Sequence, residues 1–433
     1  MSELRENRPH LGTCVELFAG GGGLAMGVHN AGFRPLLVNE YANRAVETLQ
    51  MNDMPGGGAW PLKPGDVRLL VDDFKDLEGE VDILAGGPPC QPFSLGGAHK
   101  GMEDERNMFP QMFRAIREMR PKAVICENVR GLLRPSFKPY FDYILNELRL
   151  PFVKREPDAS WEDHNEVLEK LIANDSVPTS ERYVVKYHQV NAADYGVPQI
   201  RHRVIIVAFR ADLGVNWEDF EPRPAYSDEA LIHSMRDGGE YWSEGRHADV
   251  DDDVKDRVIA SLPDLDLEDE KVQEKLRLKP WRTLRDAIKG IDENEGTPLE
   301  EVSVDAVKNK GQVGPIQDHF GWPGARTYTG HTPNVLDRPA KTVKAGVHGV
   351  PGGESVMQLD DVTFNGTGYR YMTVRETARV MTFPDDWRLA GPRGEKMRQL
   401  GNAVPVKLGA TFAEAVGTAL KSVGALKDSE KKQ

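Results

Sequence analysis

The chain has few cysteines and no long apolar run, and both absences narrow what it can be. Its three cysteines are Cys14, Cys90 and Cys126. They are too few for a disulfide framework and lack the C-x-x-C spacing of a zinc knuckle. No stretch approaches the apolar length needed to cross a bilayer, and the polar start of the chain lacks the apolar segment of a signal peptide. We therefore expect a protein of the reducing cytoplasm, with no membrane contact and no bound metal.

Positive charge is also scarce. Lys and Arg together number 55 against 68 Asp and Glu, so the formal net charge is −13. This balance argues against indiscriminate binding to nucleic acid. It does not exclude a basic cleft on an acidic protein, because nucleic-acid binding depends on the local electrostatic field more than on the total charge. The hydrophobic content of 39% and the charged content of 28% are ordinary for a folded globular chain.

Short apolar runs alternate with helical patterns through the first half of the chain. Such alternation predicts a mostly parallel, doubly wound α/β sheet, in which ligands lie beyond the carboxyl ends of the strands. Phe18, Glu40, Cys90 and Glu127 all follow predicted strands, so we expect them at one edge of the sheet. The predicted strands are 13–18, 36–39, 81–85, 123–126, 183–190 and 204–209, and the predicted helices in this half are 24–31 and 108–119.

A glycine turn follows the first predicted strand. Four consecutive glycines, Gly20–Gly23, come before Leu24, which opens a helix. A strand, a glycine turn and a helix N-terminus together offer backbone N–H groups to the polar end of a ligand. Glu40 follows about twenty positions later at the end of the next strand, the place of a ribose-hydroxyl acceptor. The glycines alone would be a weak signal, but with Glu40 they predict a nucleoside-type cofactor.

The segment after strand 81–85 displays a cysteine. The backbone leaves the strand through Gly86–Pro89, two glycines and two prolines, and Cys90 follows at once. A cysteine at a strand end, on backbone that cannot relax, suits a nucleophile. The alternative is a buried cysteine packed as a small hydrophobe. Because a Gly-Gly-Pro-Pro loop offers little to a core, we favour the nucleophile.

Composition changes in the second half of the chain. Residues from about 211 to 335 are acidic and polar, include Asp251–Asp253, and have few apolar runs. They predict a separate module that is irregular or lightly helical. The polar stretch 151–182 is predicted to be a surface insertion. Apolar periodicity returns at 373–381, a predicted helix, and a last helix is predicted at 406–420.

The chain resembles the DNA (cytosine-5-)-methyltransferases, because several motifs of that family occur here in the family's order. The resemblance covers residues 13–209 and 336–420, and the ordered set is far more specific than any one motif. The matching motifs are the cofactor loop at 16–23, the nucleophile motif Pro89-Cys90-Gln91, the acid motif Glu127-Asn128-Val129, the Gln-x-Arg-x-Arg motif at 199–203, and the last two blocks at 338–343 and 401–405.

The resemblance implies a Rossmann-like S-adenosylmethionine-dependent methyltransferase sheet with a smaller, irregular target-recognition domain. Residues 1–212 and 394–427 would form the catalytic domain, 213–393 the target-recognition domain and hinge, and 428–433 a disordered tail. The implied reaction moves a methyl group from S-adenosyl-L-methionine to carbon 5 of a cytosine in a specific sequence of double-stranded DNA. The target base must be flipped out, since it cannot react inside a stacked duplex.

The resemblance also implies a role for each matching residue. Cys90 would be the nucleophile and Glu127 the acid at the ring nitrogen N3. Arg203 would hold the cytosine carbonyl, and Arg201 would position the nucleophile loop or the base. The residues implied to bind the cofactor are Phe18, Gly20, Gly22, Gly23, Leu24, Glu40, Tyr41, Asp66, Val67, Pro89, Asn402 and Val404. Those implied to bind the substrate are Gln91, Ser94 and Gln199.

Three other interpretations stay open, and an amino-methylating enzyme is disfavoured because its loop would be Asp/Asn-Pro-Pro-aromatic, whereas this chain has Gly87-Pro88-Pro89-Cys90. A nicotinamide oxidoreductase would share the glycine turn and Glu40 but would not need Cys90 and Glu127. A relative acting on transfer RNA shares the catalytic motifs, but it normally has a shorter recognition module than this one. A non-catalytic DNA-binding protein would not need an intact Cys90 and Glu127. We expect a monomer, with a restriction endonuclease acting on the same DNA site as its partner; the sequence does not reveal that site.

Overall fold

The computed structural model describes most of the chain. Cys90, Gln91, Ser94 and the predicted tail 428–433 lie outside the described residues. No helix within the described part is long and apolar enough to cross a membrane. The described residues are 10–89, 107–236, 238–291, 297–327, 332–345 and 355–426.

The elements follow one another along the chain with strands and helices alternating through the first half. The strands are β1 (Gly12–Leu17), β2 (Phe33–Glu40), β3 (Leu62–Pro64), β4 (Ile83–Gly86), β5 (Ala123–Val129), β6 (Tyr183–Asn191), β7 (His202–Arg210), β8 (Tyr226–Ser227), β9 (Lys279–Pro280), β10 (Val356–Gln358) and β11 (Tyr369–Tyr371). The α-helices are α1 (Gly23–Asn30), α2 (Asn43–Gln50), α3 (Val71–Lys75), α4 (Phe109–Met119), α5 (Lys138–Arg149), α6 (Trp161–Ala173), α7 (Asp228–Met235), α8 (Asp252–Ser261), α9 (Glu270–Leu276), α10 (Leu284–Lys289), α11 (Val304–Asn309), α12 (Val374–Val380), α13 (Arg393–Asn402) and α14 (Val406–Ser422).

Seven of the described strands form one sheet in the order β3-β2-β1-β4-β5-β7-β6. Parallel pairing joins β1 to β2 and β4, β2 to β3, and β4 to β5. Strand β7 pairs antiparallel to β5. The predicted doubly wound, mostly parallel sheet is therefore confirmed. The chain runs from β1 outward through β2 to β3 and then returns to β4 on the other side of β1. Its winding direction therefore reverses between β1 and β4, and a crevice is expected at the carboxyl ends of these two strands.

An apolar layer covers one face of the sheet. Helix α4 places Phe109, Met112, Phe113, Ile116 and Met119 in the core, each 2% exposed or less. Their spacing of three and four residues forms the single apolar stripe of an amphipathic helix. This stripe is what anchors the start of α4, directly after the segment that contains the predicted nucleophile.

Helix α14 contacts the other face of the sheet through small residues. A Cβ atom on Gly409 would lie 3.1 Å from Leu24 of α1, and one on Gly417 would lie 3.1 Å from the ring of Phe33 in β2. Glycine at these two positions lets the last helix approach α1 and the sheet closely. The last helix thereby packs on α1, which follows the glycine turn, and on β2.

The predicted surface insertion 151–182 contains a helix that belongs to the core. Leu168 of α6 is fully buried in the same apolar cluster as α4, although most of the helix surface is exposed. Ser160 and Asp163 close the N-terminus of α6 with a capping box. The prediction of a surface insertion was therefore wrong for α6. The sequence pattern gave the wrong prediction because only one turn of α6, with His164 and Leu168, carries buried side chains.

The chain divides into two compact units. The first comprises Met1–Val190, His202–Pro222 and Gly409–Gln433, and the second comprises Asn191–Arg201 and Arg223–Leu408. The second has short helices and two small sheets, a parallel β8–β9 pair and an antiparallel β10–β11 pair. This agrees with the lightly helical module that the sequence predicts. The division into catalytic and target-recognition domains is a functional assignment and stays a prediction.

Buried charges hold the second unit together. Arg285 is 4% exposed and donates to both carboxylates of Asp337 and Asp360. Helix α12 buries Arg375 and Arg379 completely. Arg379 binds Asp385 with two nitrogens at 2.9 and 2.6 Å. Such pairs are stable only when their hydrogen bonds are well made, so they fix one arrangement of the unit's loops.

Candidate active site

The turn after β1 has backbone that L-residues rarely adopt. Phe18 has φ +60°, Gly20 φ +56° and Gly22 φ +92°. The Gly22 N–H donates to the carbonyl of Ala19 at 2.9 Å, which closes the turn. A left-handed phenylalanine costs about 1–3 kcal/mol and persists only where its surroundings hold it, often at a ligand site.

Glu40 holds this turn to the end of β2. Its carboxylate accepts the Gly20 N–H and the Ala42 N–H, both at 2.7 Å. The backbone adds a bond from the Ala19 N–H to the Asn39 carbonyl at 3.0 Å. The structure thus brings together Glu40 and the glycine turn, as the sequence predicts for a cofactor site. A carboxylate can accept about four hydrogen bonds, so Glu40 keeps capacity for hydroxyl donors.

The N-terminus of α1 is open to a negatively charged group. Gly22 caps the helix without a side-chain hydrogen bond, and the first turn contains no acidic residue. Below it, burial raises the pKa of Glu16 well above its usual range, with a smaller upward contribution from Glu40 and an opposing one from the Ala25 N–H. Burial thus disfavours the charged form of Glu16, the form that would offset the positive end of the helix dipole. These donors fit the carboxylate of an amino-acid-like cofactor.

Tyr41 and Asp66 lie on either side of Glu40. Tyr41 is 73% exposed and can offer its ring to a planar group. The Gly65 N–H donates to the Glu40 carbonyl at 2.8 Å, which places Asp66 next to that strand end. Arg68 binds the Asp66 carboxylate and lowers its pKa. An adenine contact by Asp66 would therefore share this carboxylate with Arg68.

The end of β4 is held against β5. Gly86 has no space for a side chain, since a Cβ there would lie 2.9 Å from the Leu17 carbonyl. The amide of Asn128 donates to the Pro88 carbonyl at 3.1 Å. Beyond it, Pro89 is exposed and its carbonyl accepts the Met108 N–H at 3.3 Å. The two residues that flank the Cys90 segment on its N-terminal side are thereby fixed.

Asn128 is a residue whose importance the sequence did not reveal. It follows Glu127 directly and is 3% exposed. Besides holding Pro88, its Oδ1 accepts the Val129 N–H at 2.8 Å. A polar amide at the end of an apolar strand was the available signal, because a buried amide needs partners in both directions.

Glu127 and Arg203 form an ion pair at the same edge of the sheet. Arg203 Nε lies 2.6 Å from Glu127 Oε1, and the two side chains are 11% and 10% exposed. The contact is not aligned as a hydrogen bond, so Oε1 has no hydrogen-bond partner among the described residues. Gly87 borders this carboxylate, since a Cβ there would lie 3.5 Å from Oε2, an ordinary contact distance. The pairing of these two predicted catalytic residues needs the antiparallel register of β5 and β7.

The two described cysteines are unsuited to act as nucleophiles. Cys14 lies in β1 and Cys126 in β5, and both are buried. Burial raises the pKa of the Cys126 thiol to about 12 and raises that of Cys14 well above its usual value. Neither forms a thiolate near neutral pH, and the thiolate is the reactive species. Cys90 is thereby left as the candidate by exclusion.

Gln199 and Arg201 belong to the second unit, and their side chains hydrogen-bond to its backbone. Gln199 is 0% exposed, and its Oε1 accepts the Val343 N–H at 3.1 Å. Arg201 is 1% exposed and donates to the carbonyls of Val343, Gly401 and Ala403 at 2.8–2.9 Å. The predicted substrate contact of Gln199 does not fit this burial. Arg201 fits the positioning role in its prediction rather than a catalytic one.

The last two predicted cofactor residues lie in the segment that Arg201 holds. Asn402 ends α13 and is exposed, whereas Val404 is 6% exposed. Gly401 is enclosed, since a Cβ there would lie 2.4 Å from the Ala345 nitrogen. The sequence did not predict α13, because glycine and polar residues dilute its apolar pattern.

The family model for C-5 cytosine-specific DNA methylases matches residues 12–150 and 161–418 of this chain. The chain belongs to this family. The gap in the match, residues 151–160, lies just before α6, and the matched ranges contain every described site residue named above.

Curated relatives resemble the chain over most of its length. The Type II methyltransferase M.Eco47II of Escherichia coli is 30% identical over 409 residues, which cover 93% of this chain and 78% of the relative. The Type II methyltransferase M.NgoMIV of Neisseria gonorrhoeae is 30% identical over 408 residues, 94% of this chain and 96% of the relative.

Solved structures share the methylase fold. A prophage-encoded protein of E. coli aligns with a TM-score of 0.51 at 20% identity, covering 95% of this chain and 99% of that one. The Dnmt2 methyltransferase of S. pombe aligns with a TM-score of 0.50 at 15% identity, covering 95% and 98%. At these identities the likeness concerns the fold alone.

We predict that Arg201→Ala destabilises the protein strongly. The substitution leaves three buried carbonyls without their donor, so the free energy of unfolding should fall by about 3–5 kcal/mol. Urea denaturation measures this change. The control is Arg277→Ala, which removes an exposed arginine from the same unit and should change stability by about 0.5 kcal/mol or less. Equal stability of the two variants would contradict the assigned role.

Proposed function

We propose that the chain methylates carbon 5 of a cytosine flipped out of double-stranded DNA, with S-adenosyl-L-methionine as methyl donor and Cys90 as covalent nucleophile. The observation that carries the proposal is the Glu127–Arg203 pair, 2.6 Å apart, beside the Pro88–Pro89 loop that leads to Cys90. A nicotinamide oxidoreductase has no use for this acid, cation and cysteine together. A non-catalytic DNA-binding protein has none either.

The first unit fits the cofactor at the carboxyl ends of β1, β2 and β3. The α1 N-terminus would bind the carboxylate of the methionine part, and Glu40 would accept the ribose hydroxyls. Tyr41 would pack on adenine, and Asp66 with Val67 would lie at its edge. When bound, S-adenosylmethionine supplies an electrophilic methyl group. The cofactor residues proposed in this unit are Phe18, Gly20, Gly22, Gly23, Leu24, Glu40, Tyr41, Asp66, Val67 and Pro89. The cofactor roles that the resemblance implies for Asn402 and Val404 stay predictions.

The reaction requires a nucleophile and an acid that act on the same cytosine ring. Carbon 5 of cytosine is a weak nucleophile until the Cys90 thiolate adds to carbon 6. In its protonated form Glu127 would donate a hydrogen bond or its proton to N3, because the ring then accepts the electron pair from sulfur more readily. Arg203 would hold the cytosine carbonyl while it keeps Glu127 in place. After methylation a base removes the carbon 5 proton, and the electron pair of the broken C–S bond returns to sulfur.

We assign sequence recognition to the second unit. The acidic run Asp251–Asp253 is exposed at the N-terminus of α8, where it complements the helix dipole and faces solvent. Basic residues after it, such as the exposed Arg326, are candidates for reading base edges, where a bidentate contact discriminates by about 1–3 kcal/mol. The buried ion pairs around Arg285 would keep these loops rigid enough to select bases.

The biological setting proposed is modification within a restriction–modification system. The relatives named above are Type II methyltransferases and match across more than nine-tenths of this chain. A restriction endonuclease recognising the same site would be the partner, without direct contact, and the enzyme would act as a cytoplasmic monomer. Transfer RNA is the alternative substrate. Labelled S-adenosylmethionine offered with duplex DNA or transfer RNA separates the two.

The first test concerns Cys90. Duplex DNA that carries 5-fluorocytosine at the target should trap the protein covalently, because fluorine cannot leave as a proton does. We expect Cys90→Ala to abolish trapping, read as a shifted band on a denaturing gel. Cys14→Ala and Cys126→Ala are matched controls and should still trap. Trapping that survives Cys90→Ala would refute the assignment.

The second test concerns Glu40. Glu40→Ala removes the ribose acceptor and two bonds that hold the glycine turn, so S-adenosylmethionine affinity should fall about 10- to 100-fold. Calorimetry measures the affinity, and DNA binding should stay close to that of the wild type. Glu47→Ala, which removes an exposed carboxylate paired with Arg44 on α2, is the control. Unchanged cofactor affinity in Glu40→Ala would rule the role out.

The third test exchanges the recognition module. Replacing residues 223–361 by the matching region of the N. gonorrhoeae relative moves Arg285 together with its partners Asp337 and Asp360. The graft leaves Trp217 bonded to His188 in the first unit. Bisulfite sequencing of plasmid DNA should then find the relative's methylation site. A folded, active chimera that still marks the original sequence would locate specificity elsewhere.

A further inference from the structure

Two arginines that follow strand β5 have no charged partner among the described residues. Arg130 is exposed and Arg134 is half-buried. Neither guanidinium makes an ion pair or a hydrogen bond within the part of the chain that the structure describes. Several other cations of this unit pair with carboxylates, such as Arg203 with Glu127 and Lys122 with Asp82. Two unpaired arginines four positions apart are therefore available to an external anion.

The backbone of Arg130 and Arg134 is fixed at the edge of the sheet where Glu127 and Arg203 lie. Val129, the last residue of β5, pairs with Arg203 of β7, and Arg130 is the next residue. Residues Arg130–Leu133 form a short 3-10 turn that packs against β7 and α5. Leu132 is fully buried and anchors the turn in the core. The arginines are thus held at the rim of the site by a rigid turn.

The local charge is positive although the chain as a whole carries −13. No acidic residue occurs between Glu127 and Asp142, whereas Arg130, Arg134 and Lys138 do. Lys138 is paired with Asp142 at 2.5 Å, which leaves the two arginines as the net charge of this segment. An acidic protein that binds a polyanion needs such local concentrations of positive charge.

The position selects the kind of anion. Strand β5 lies two strands from β1 in the sheet order, about 10 Å away, so the α1 N-terminus and not Arg130 is placed for the cofactor carboxylate. Glu127 and Arg203 are placed for the base. In bound DNA, the anion next to a base held by Glu127 and Arg203 would be a backbone phosphodiester. Its oxygens match the planar geometry of a guanidinium group. We infer that Arg130 and Arg134 bind the backbone of the DNA strand that carries the target cytosine, an inference that rests on the proposed function.

The salt dependence of DNA binding tests this inference. Full-length wild-type protein and Arg130→Ala/Arg134→Ala would be titrated onto a fluorescent duplex carrying the site found by bisulfite sequencing, over a series of KCl concentrations. The slope of log K against log[KCl] should decrease in magnitude by about 0.9 for each lost phosphate contact, hence about 1.8 for the double variant. S-adenosylmethionine affinity and thermal stability should match the wild type.

Two controls separate a phosphate contact from other effects. Arg155→Ala removes an exposed arginine of the same unit, in the ten residues that the family model leaves unmatched, and should keep the wild-type slope. Arg130→Lys/Arg134→Lys retains the charges and should restore most of the slope. A wild-type slope in the double alanine variant would overturn the inference. So would an equal loss in Arg155→Ala, or a changed methylation sequence in the lysine variant.

The 5-fluorocytosine duplex distinguishes this failure from failure of the proposed function. Wild-type protein that traps the duplex, together with an unaltered slope in Arg130→Ala/Arg134→Ala, refutes the phosphate contact alone. Wild-type protein that neither traps nor methylates duplex DNA refutes the proposed function, and the inference falls with it.

Discussion

Parallel strand pairing is the constraint on which the first unit depends. Because β1 pairs in parallel with β2 and β4, and β4 with β5, every loop that follows these strands emerges at one edge. The glycine turn, Glu40, the Pro88–Pro89 loop and Glu127 are far apart in the chain and meet only through this pairing. Arg203 joins them from the opposite direction, because β7 runs antiparallel to β5.

Side chains that bind backbone then fix the loops at that edge. Glu40 holds two N–H groups at the glycine turn, and Asn128 holds the Pro88 carbonyl. In the second unit Arg201 holds three carbonyls. Loops carry backbone groups that no strand or helix satisfies, and a buried polar side chain is one way to satisfy them. The same bonds that stabilise the fold therefore set the geometry in which a nucleophile, an acid and a cofactor can act together.

Both units bury apolar side chains, but the second adds several buried guanidinium–carboxylate pairs. The first buries apolar layers such as the α4 stripe, and its interior follows simple hydrophobic patterning. The second buries guanidinium–carboxylate pairs, including Arg285 with Asp337 and Arg370 with Glu376. A chain held by such pairs looks polar and irregular in sequence, although its side chains are well packed. The arrangement suits a recognition module, since the identity of its exposed loops can vary while buried pairs keep them in place.

The sequence by itself determined the fold class, most strands of the main sheet, the helices at 109–119, 374–380 and 406–422, and the family. These depend on local patterns: apolar periodicity, glycine turns and short motifs, all of which act over neighbouring residues. It missed β3, whose three residues lie among prolines and glycines, and α13, whose apolar pattern is diluted. It also placed α6 on the surface, although Trp161, Leu168 and Leu171 recur at helical spacing and pack on the core, because the charged and polar residues between them dominate the composition.

Only the tertiary structure decided how the site residues are used. Gln199, Arg201 and Arg203 belong to one motif. The side chains of Gln199 and Arg201 are buried and hydrogen-bond to the backbone of the second unit, whereas Arg203 pairs with Glu127. Alternation along an extended segment allows either outcome, and only the surrounding packing selects one. Arg130 and Arg134 likewise carry no motif signal of their own. Their importance follows from what lies near them and from the absence of any described carboxylate to neutralise them, and both are properties of the folded chain.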